Sequence, residues 1–227
     1  MKVLEFMWKV LLWTTLPVAA AWMLFGRTEM RRIARDEEYL DTLIDKSQLR
    51  NGDLIFHTSQ SRQSKAFQLA TRSAYSHCGI VYKRVGQWVV FEAVQPVKTT
   101  PLRNWIARGK DEHFVIKRLR DAETALTPAV LARMDSVGKT FLRRRYDATF
   151  SWSDDELYCS ELIWKVYDRG LHRQLGRLQR LQEFDLSTPA VKKKLKERYG
   201  DRLPLSEIVV SPVSIFNSPE LVTVLNR

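Results

Sequence analysis

Two apolar runs in tandem, Gly79 to Tyr82 and Trp88 to Val94, constrain this chain more than any other feature; only Lys83-Arg84-Val85-Gly86-Gln87 separates them. Short β-branched and aromatic runs around a glycine-containing loop read as an antiparallel hairpin. His77 heads the first run and Glu92 sits alone in the second. Because side chains alternate along a strand, the register decides whether the two meet. Pairing Lys83 with Trp88 around a four-residue loop places Glu92 opposite Gly79, with His77 one diagonal step away on the same face. A two-residue loop at Arg84-Val85 places His77 directly opposite Glu92, and a three-residue loop separates them. In both even registers Cys78 lies on the other face. A carboxylate beside an imidazole fixes its tautomer and supports its protonated form, which is the orienting half of a nucleophilic triad. The plainer reading is two polar groups satisfying one another at a sheet edge.

Around the hairpin, Asn51-Gly52 signals a turn, and Asp53 to His57 reads as a short strand. Gln63 to Ala70 reads as a short helix, Pro101 to Arg108 as amphipathic or irregular, and His113 to Leu119 as a further strand. Pro128 to Arg145 has helical apolar spacing behind the N-cap Thr127. A second helix spans Ser160 to Arg169, buries Leu162, Ile163 and Val166, and ends at Gly170. A basic helix over Val191 to Tyr199 precedes a proline-punctuated tail. Strands come first and the main helices later, so the expected class is α+β with a mostly antiparallel sheet.

The 227 residues suit one domain with length left over. Val10 to Gly26 carries no charge and is flanked by Lys9 and Arg27, at the lower limit for a membrane-spanning helix. Ala19-Ala20-Ala21 after a basic start is the rival signature of a cleaved signal peptide. The expected division is a membrane anchor or signal over 1–26, a charged helical stalk over 27–48 and a folded domain over 49–227. A signal-anchor reading puts the domain on the extracytoplasmic side, which is the expectation here. The arginines after the span argue the other way.

The net charge of +11 favours an anionic partner such as lipid headgroups or an acidic cell-wall polymer. The cluster Lys192-Lys193-Lys194, Lys196 and Arg198 would suit it, though a solvated helix face explains that cluster equally well. Scattered basic residues, and aromatics held in apolar runs, argue against a nucleic-acid binder. Two cysteines make neither a disulfide framework nor a zinc motif.

Cys159 follows the polar stretch Ser151 to Glu156 and opens the second helix. Helix N-terminal amides stabilise a thiolate and can hold a developing oxyanion. A buried structural cysteine is the commoner fate of such a residue. Cys78, adjacent to His77 but facing the other way, reads as core. Cys159, His77 and Glu92 would supply nucleophile, base and orienter.

At this point the chain resembles a known family. NGDLIF (Asn51 to Phe56), SHCGIVY (Ser76 to Tyr82), VFEAV (Val90 to Val94), RYDATFSW (Arg145 to Trp152) and YCSELIWKVY (Tyr158 to Tyr167) follow the order seen in permuted papain-like amidases of the YiiX/YebB kind. These are relatives of the NlpC-type cell-wall peptidases and of lecithin retinol acyltransferase. The resemblance implies a circularly permuted papain-like fold, with Cys159 as nucleophile, His77 as base and Glu92 as the polar third member. It places Tyr158, Tyr146 and Asp147 along the site and gives Asp53 a structural or lining role. Cys78 departs from the small aliphatic residue usual after this histidine. No metal or organic cofactor is implied. The expected activity is thiol-dependent cleavage of an amide, of the peptidoglycan-peptide type, or of an acyl bond, through an acyl-enzyme. The alternatives are a lipid acyltransferase or thioesterase at the membrane, and a non-catalytic module binding an acyl or peptide ligand.

Overall fold

The computed structural model describes residues 49–227 together with Glu38 and Thr42. The proposed anchor over 1–26 lies outside the described residues. Of the proposed stalk only Glu38 and Thr42 are described; both are helical, and the Thr42 hydroxyl donates to the Glu38 carbonyl at 2.9 Å. Among the described residues no helix is long and apolar enough to cross a membrane.

From residue 49 the chain forms β1 (Leu54–Ser59), α1 (Ser64–Thr71), β2 (His77–Arg84), β3 (Gln87–Glu92), β4 (Lys98–Pro101), α2 (Leu102–Ile106) and β5 (Gly109–Leu119). It continues through α3 (Ala122–Ala125), α4 (Pro128–Phe141), β6 (Arg145–Tyr146), β7 (Glu156–Leu157) and α5 (Cys159–Leu171). The tail adds β8 (Gln179–Arg180), α6 (Pro189–Tyr199), β9 (Ile208–Val209), α7 (Pro212–Phe216) and β10 (Leu221–Asn226). One six-stranded sheet in the order β10-β5-β1-β2-β3-β4 carries the domain, and each neighbouring pair runs antiparallel. The expected mixed fold with an antiparallel sheet is therefore present, and it is consistent with a permuted papain-like arrangement.

The hairpin takes the first of the registers that the sequence allows. Lys83 pairs with Trp88 and Ile80 with Phe91, and an added Arg84–Gln87 pair tightens the loop to Val85-Gly86. Both turn residues have positive φ, 46° and 80°, as a two-residue turn matched to strand twist requires. Helix α5 packs on this sheet. Leu162, Ile163, Val166 and Tyr167 have no exposed surface, and each such side chain contributes about 1.5–3 kcal/mol. The Tyr167 hydroxyl also donates to the Gly52 carbonyl, tying the helix to the entry of β1.

Several expected boundaries move. The helix predicted to reach Arg145 stops at Phe141. Leu142 turns out of helical geometry and Arg143 adopts φ 66°, because the chain pairs instead with Val97 (Arg143 N to Val97 O 3.0 Å, Val97 N to Arg144 O 2.9 Å). Gly170 does not end α5. The helix runs to Leu171, and His172 supplies the left-handed cap, its N–H reaching Asp168 and Tyr167 carbonyls. Gly170 is there for packing, since a Cβ on it would lie 2.6 Å from Met134 Cγ and 2.8 Å from Met134 Cα. The Pro101–Arg108 stretch forms α2 and buries Trp105, and the tail closes the sheet with β10 as an edge strand.

The Gly170–Met134 contact makes a direct prediction. Gly170→Ala should destabilise the domain by about 1–3 kcal/mol in chemical denaturation, the usual cost of overpacking, although alanine is the better helix former. Unchanged or increased stability would show that α4 and α5 separate freely.

Candidate active site

Glu92, the last residue of β3, has no exposed surface. One carboxylate oxygen bonds His77 Nε2 at 2.6 Å. The other accepts from the Thr100 hydroxyl of β4 at 2.6 Å and from Arg108, just beyond α2, at 2.5 Å. A buried carboxylate is tolerable only when so satisfied. Burial alone would raise the Glu92 carboxyl, but the His77 bond and charge, with Thr100 and Arg108, outweigh it and hold it at about 2.

His77 opens β2 and lies within electrostatic reach of Cys159, the first residue of α5. Burial works against an imidazolium. The Cys159 thiolate, by charge and hydrogen bond, and then Glu92 carry His77 up to about 9. Cys159 is 5% exposed and is pulled well below the usual thiol range by a hydrogen bond from the Cys78 thiol and by the His77 charge, against the opposing effect of burial. The Cys78 amide also bonds it. Cys78 itself is pushed up, by burial first and by the neighbouring Cys159 charge, so it remains a protonated donor. It is core, as expected, and it also solvates the thiolate.

Helix α5 owes its placement to the tail. Ser160 Oγ donates to the Val210 carbonyl at 2.7 Å, and the Val210 amide donates to the Tyr158 hydroxyl at 3.1 Å. Tyr158 is thus a buried brace with its ring edge-on to Phe150. Tyr146 lies close enough to Cys159 to feel its charge, and its hydroxyl accepts weakly from Gln63 at 3.4 Å. Asp147 holds its own loop, accepting from Thr149 N–H (2.6 Å), Thr149 hydroxyl (2.8 Å) and Ser151 hydroxyl (3.2 Å). Asp53 sits at the start of β1, bound at both oxygens by Arg118 at 2.7 Å and by the Arg50 amide at 2.8 Å.

Sequence reasoning missed Thr100, Arg108, Trp105 and His57. His57 is the cross-strand partner of His77. It stacks on Trp105 at 3.8 Å between centroids, and His77 lies 5.8 Å from the same indole. Burial, then the charges of His77 and Arg108, lower His57 to about 2, so it is neutral beside the charged His77. The one available signal was parity: in a β1–β2 hairpin-like pairing His57 and His77 fall opposite one another.

The electrostatics can be checked by following the His77 ring in NMR titrations. Cys159→Ala and Glu92→Gln should each move its titration down from about 9, because each removes a negative neighbour of the imidazolium. A titration indifferent to both would show that neither Cys159 nor Glu92 holds the His77 charge.

Residues 48–225 match the family described as permuted papain-like amidase enzyme, YaeF/YiiX, C92 family. The chain is 49% identical over 177 residues to the Escherichia coli K12 protein called "Uncharacterized protein YiiX", covering 78% of this chain and 86% of that one. A crystal structure of YiiX from Escherichia coli O157:H7, described as a metalloprotein, is similar with a TM-score of 0.76 and 48% identity, over 79% of this chain and 98% of that one.

Proposed function

Because this chain belongs to the permuted papain-like amidase family, YaeF/YiiX, C92, we propose that it is a cysteine hydrolase whose Cys159, His77 and Glu92 act as nucleophile, acid–base and orienter. The observation that carries the reading is the buried His77–Glu92 hydrogen bond at 2.6 Å beside the helix-opening Cys159, whose charge and that of His77 shift one another, the arrangement that readies a thiolate. The Cys159 sulfur attacks the acyl carbon. First-turn amides of α5, which lack intrahelical partners, face the developing oxyanion. His77 gives its proton to the departing nitrogen or oxygen, then takes one from water as the thioester is hydrolysed. Glu92 keeps Nε2 engaged, so Nδ1 serves Cys159.

The YiiX crystal structure is described as that of a metalloprotein. Among the described residues of this chain, no group of three or more His, Cys, Asp or Glu is arranged to hold a metal ion. His77 Nε2 and both Glu92 oxygens are also committed to one another and to Thr100 and Arg108. That donor set does not fit a metal, and no step here runs through one. The uncharged stretch Val10 to Gly26 and the exposed Lys192, Lys193 and Lys196 of α6 support a second part of the reading, that the domain works beside an anionic membrane surface.

Alkylation of the full chain, followed at Cys159 and Cys78 separately by peptide mass spectrometry across pH, tests the proposal. Cys159 should react well below the free-thiol value of about 8.5. His77→Ala should shift that reactivity up towards it, with Cys78 inert throughout. Two inert cysteines, or a Cys159 profile unmoved by His77→Ala, would sink the catalytic reading.

A further inference from the structure

Among the described residues five large apolar side chains are exposed, and three of them fall in one short loop: Leu203 (39%), Leu205 (42%) and Ile208 (43%). Scattered exposed apolar residues are ordinary, but a contiguous group with a polar rim marks an interaction surface. The loop leaves α6 at Gly200, turns at Pro204 with the Leu205 amide donating to the Leu203 carbonyl at 2.9 Å, and returns as β9. Its backbone is fixed to the stretch after β8. The Gln182 amide donates to the Leu205 carbonyl at 3.1 Å, and the Leu181 amide to the Glu207 carbonyl at 2.9 Å. The three side chains are therefore held outward on a pinned loop.

The rim is basic. Ile208 pairs with Arg180 across β8 and β9, so the two side chains share a face, and both are exposed. Arg202 precedes Leu203, and α6, which leads into the loop, exposes Lys192, Lys193 and Lys196. The carboxylates nearby are engaged. Glu207 accepts from the Trp152 amide at 2.8 Å, Glu183 pairs with Arg177 at 2.9 Å, Glu197 with Lys194 and Asp201 with Lys196 at 3.9 Å. No ion pair among the described residues engages Arg202, Lys192 or Lys193.

Resting on the membrane part of the reading above, we propose that the Leu203–Ile208 loop, with Arg180 and Arg202 beside it, docks the domain on an anionic lipid surface. Leu203, Leu205 and Ile208 enter the boundary between headgroups and acyl chains, and the basic groups stay among the lipid phosphates. Three side chains on a loop are far less than the roughly 1,200–2,000 Å² that a stable protein interface buries. A bilayer sets no such minimum, and a weak second contact suffices where another segment already tethers the chain.

The test places one fluorophore on the loop. In the full chain carrying Cys159→Ser, with Cys78 fully buried, the environment-sensitive label NBD is attached through Leu205→Cys, Ile208→Cys or, as control, Val85→Cys at the exposed hairpin tip. The protein is mixed with phosphatidylcholine vesicles, or with vesicles of about one-third phosphatidylglycerol, each with and without doxyl-labelled lipid. On the anionic vesicles the labels at 205 and 208 should shift to the blue and be quenched by doxyl lipid, while the label at 85 stays in water. Arg202→Glu with Arg180→Glu should return the loop labels to their behaviour on the neutral vesicles. Loop labels as wet as the one at 85, on vesicles that carry the chain in flotation, would overturn the docking surface and leave the membrane reading in place. Equal quenching on neutral and anionic vesicles would overturn the anionic partner. A chain that floats with neither vesicle would overturn the membrane reading and this proposal together.

Discussion

The site is organised around one buried anion. An ion removed from water costs several kcal/mol even after the protein relaxes, and Glu92 is fully enclosed. The cost is offset by donors drawn from three separate elements: His77 at the start of β2, Thr100 in β4 and Arg108 beyond α2. Those donors meet only if β2, β3 and β4 lie side by side and the chain then folds back over the end of the sheet. The strand order is therefore coupled to the electrostatics. Slipping β3 by one residue would remove Glu92 from His77 and leave a carboxylate unpaired in the interior.

The same coupling explains how far the site could be read from sequence. His77 and Glu92 were legible because a period of two is rigid, and either even hairpin register brings them to one face. Cys159 was legible because an apolar helix face begins immediately after it. Arg108 and Thr100 were not, because their role comes from α2 folding back on β4, in a stretch whose pattern looked irregular. Gly170 misled for a related reason. A glycine near a helix end looks like a stop signal, but its lack of a Cβ is used laterally, against Met134. The three arginines after Phe141 extend a helical pattern on paper, yet two backbone bonds to Val97 take the chain elsewhere. Local propensity is weak against such long-range pairing.

Cys78 shows one residue serving both core and site. Its side chain is fully buried in the main apolar cluster, as strand parity demands. Yet its thiol and amide reach Cys159, because α5 begins against the very start of β2. A small aliphatic residue there would fill the same space without the thiol donor. The negative sulfur in this chain is thus held by a neutral donor on the core side and by a charged imidazole on the other.

The two imidazoles, His57 and His77, lie 5.4 Å apart, and both sit near the Trp105 indole. Like charges at that distance in a poorly solvated place cannot both persist. The protonation is therefore divided. His77, with Cys159 and Glu92 as counter-ions, keeps the proton, and His57, which has burial and Arg108 against it, stays neutral. Trp105, fully buried, screens this side of His77 from water. Water and polar groups then approach His77 through an open polar pocket that Gln60, Gln95 and Arg108 also line, while Cys159 lines an apolar cavity walled partly by α6. That asymmetry follows from α2 and α6 covering different flanks of a single ion pair.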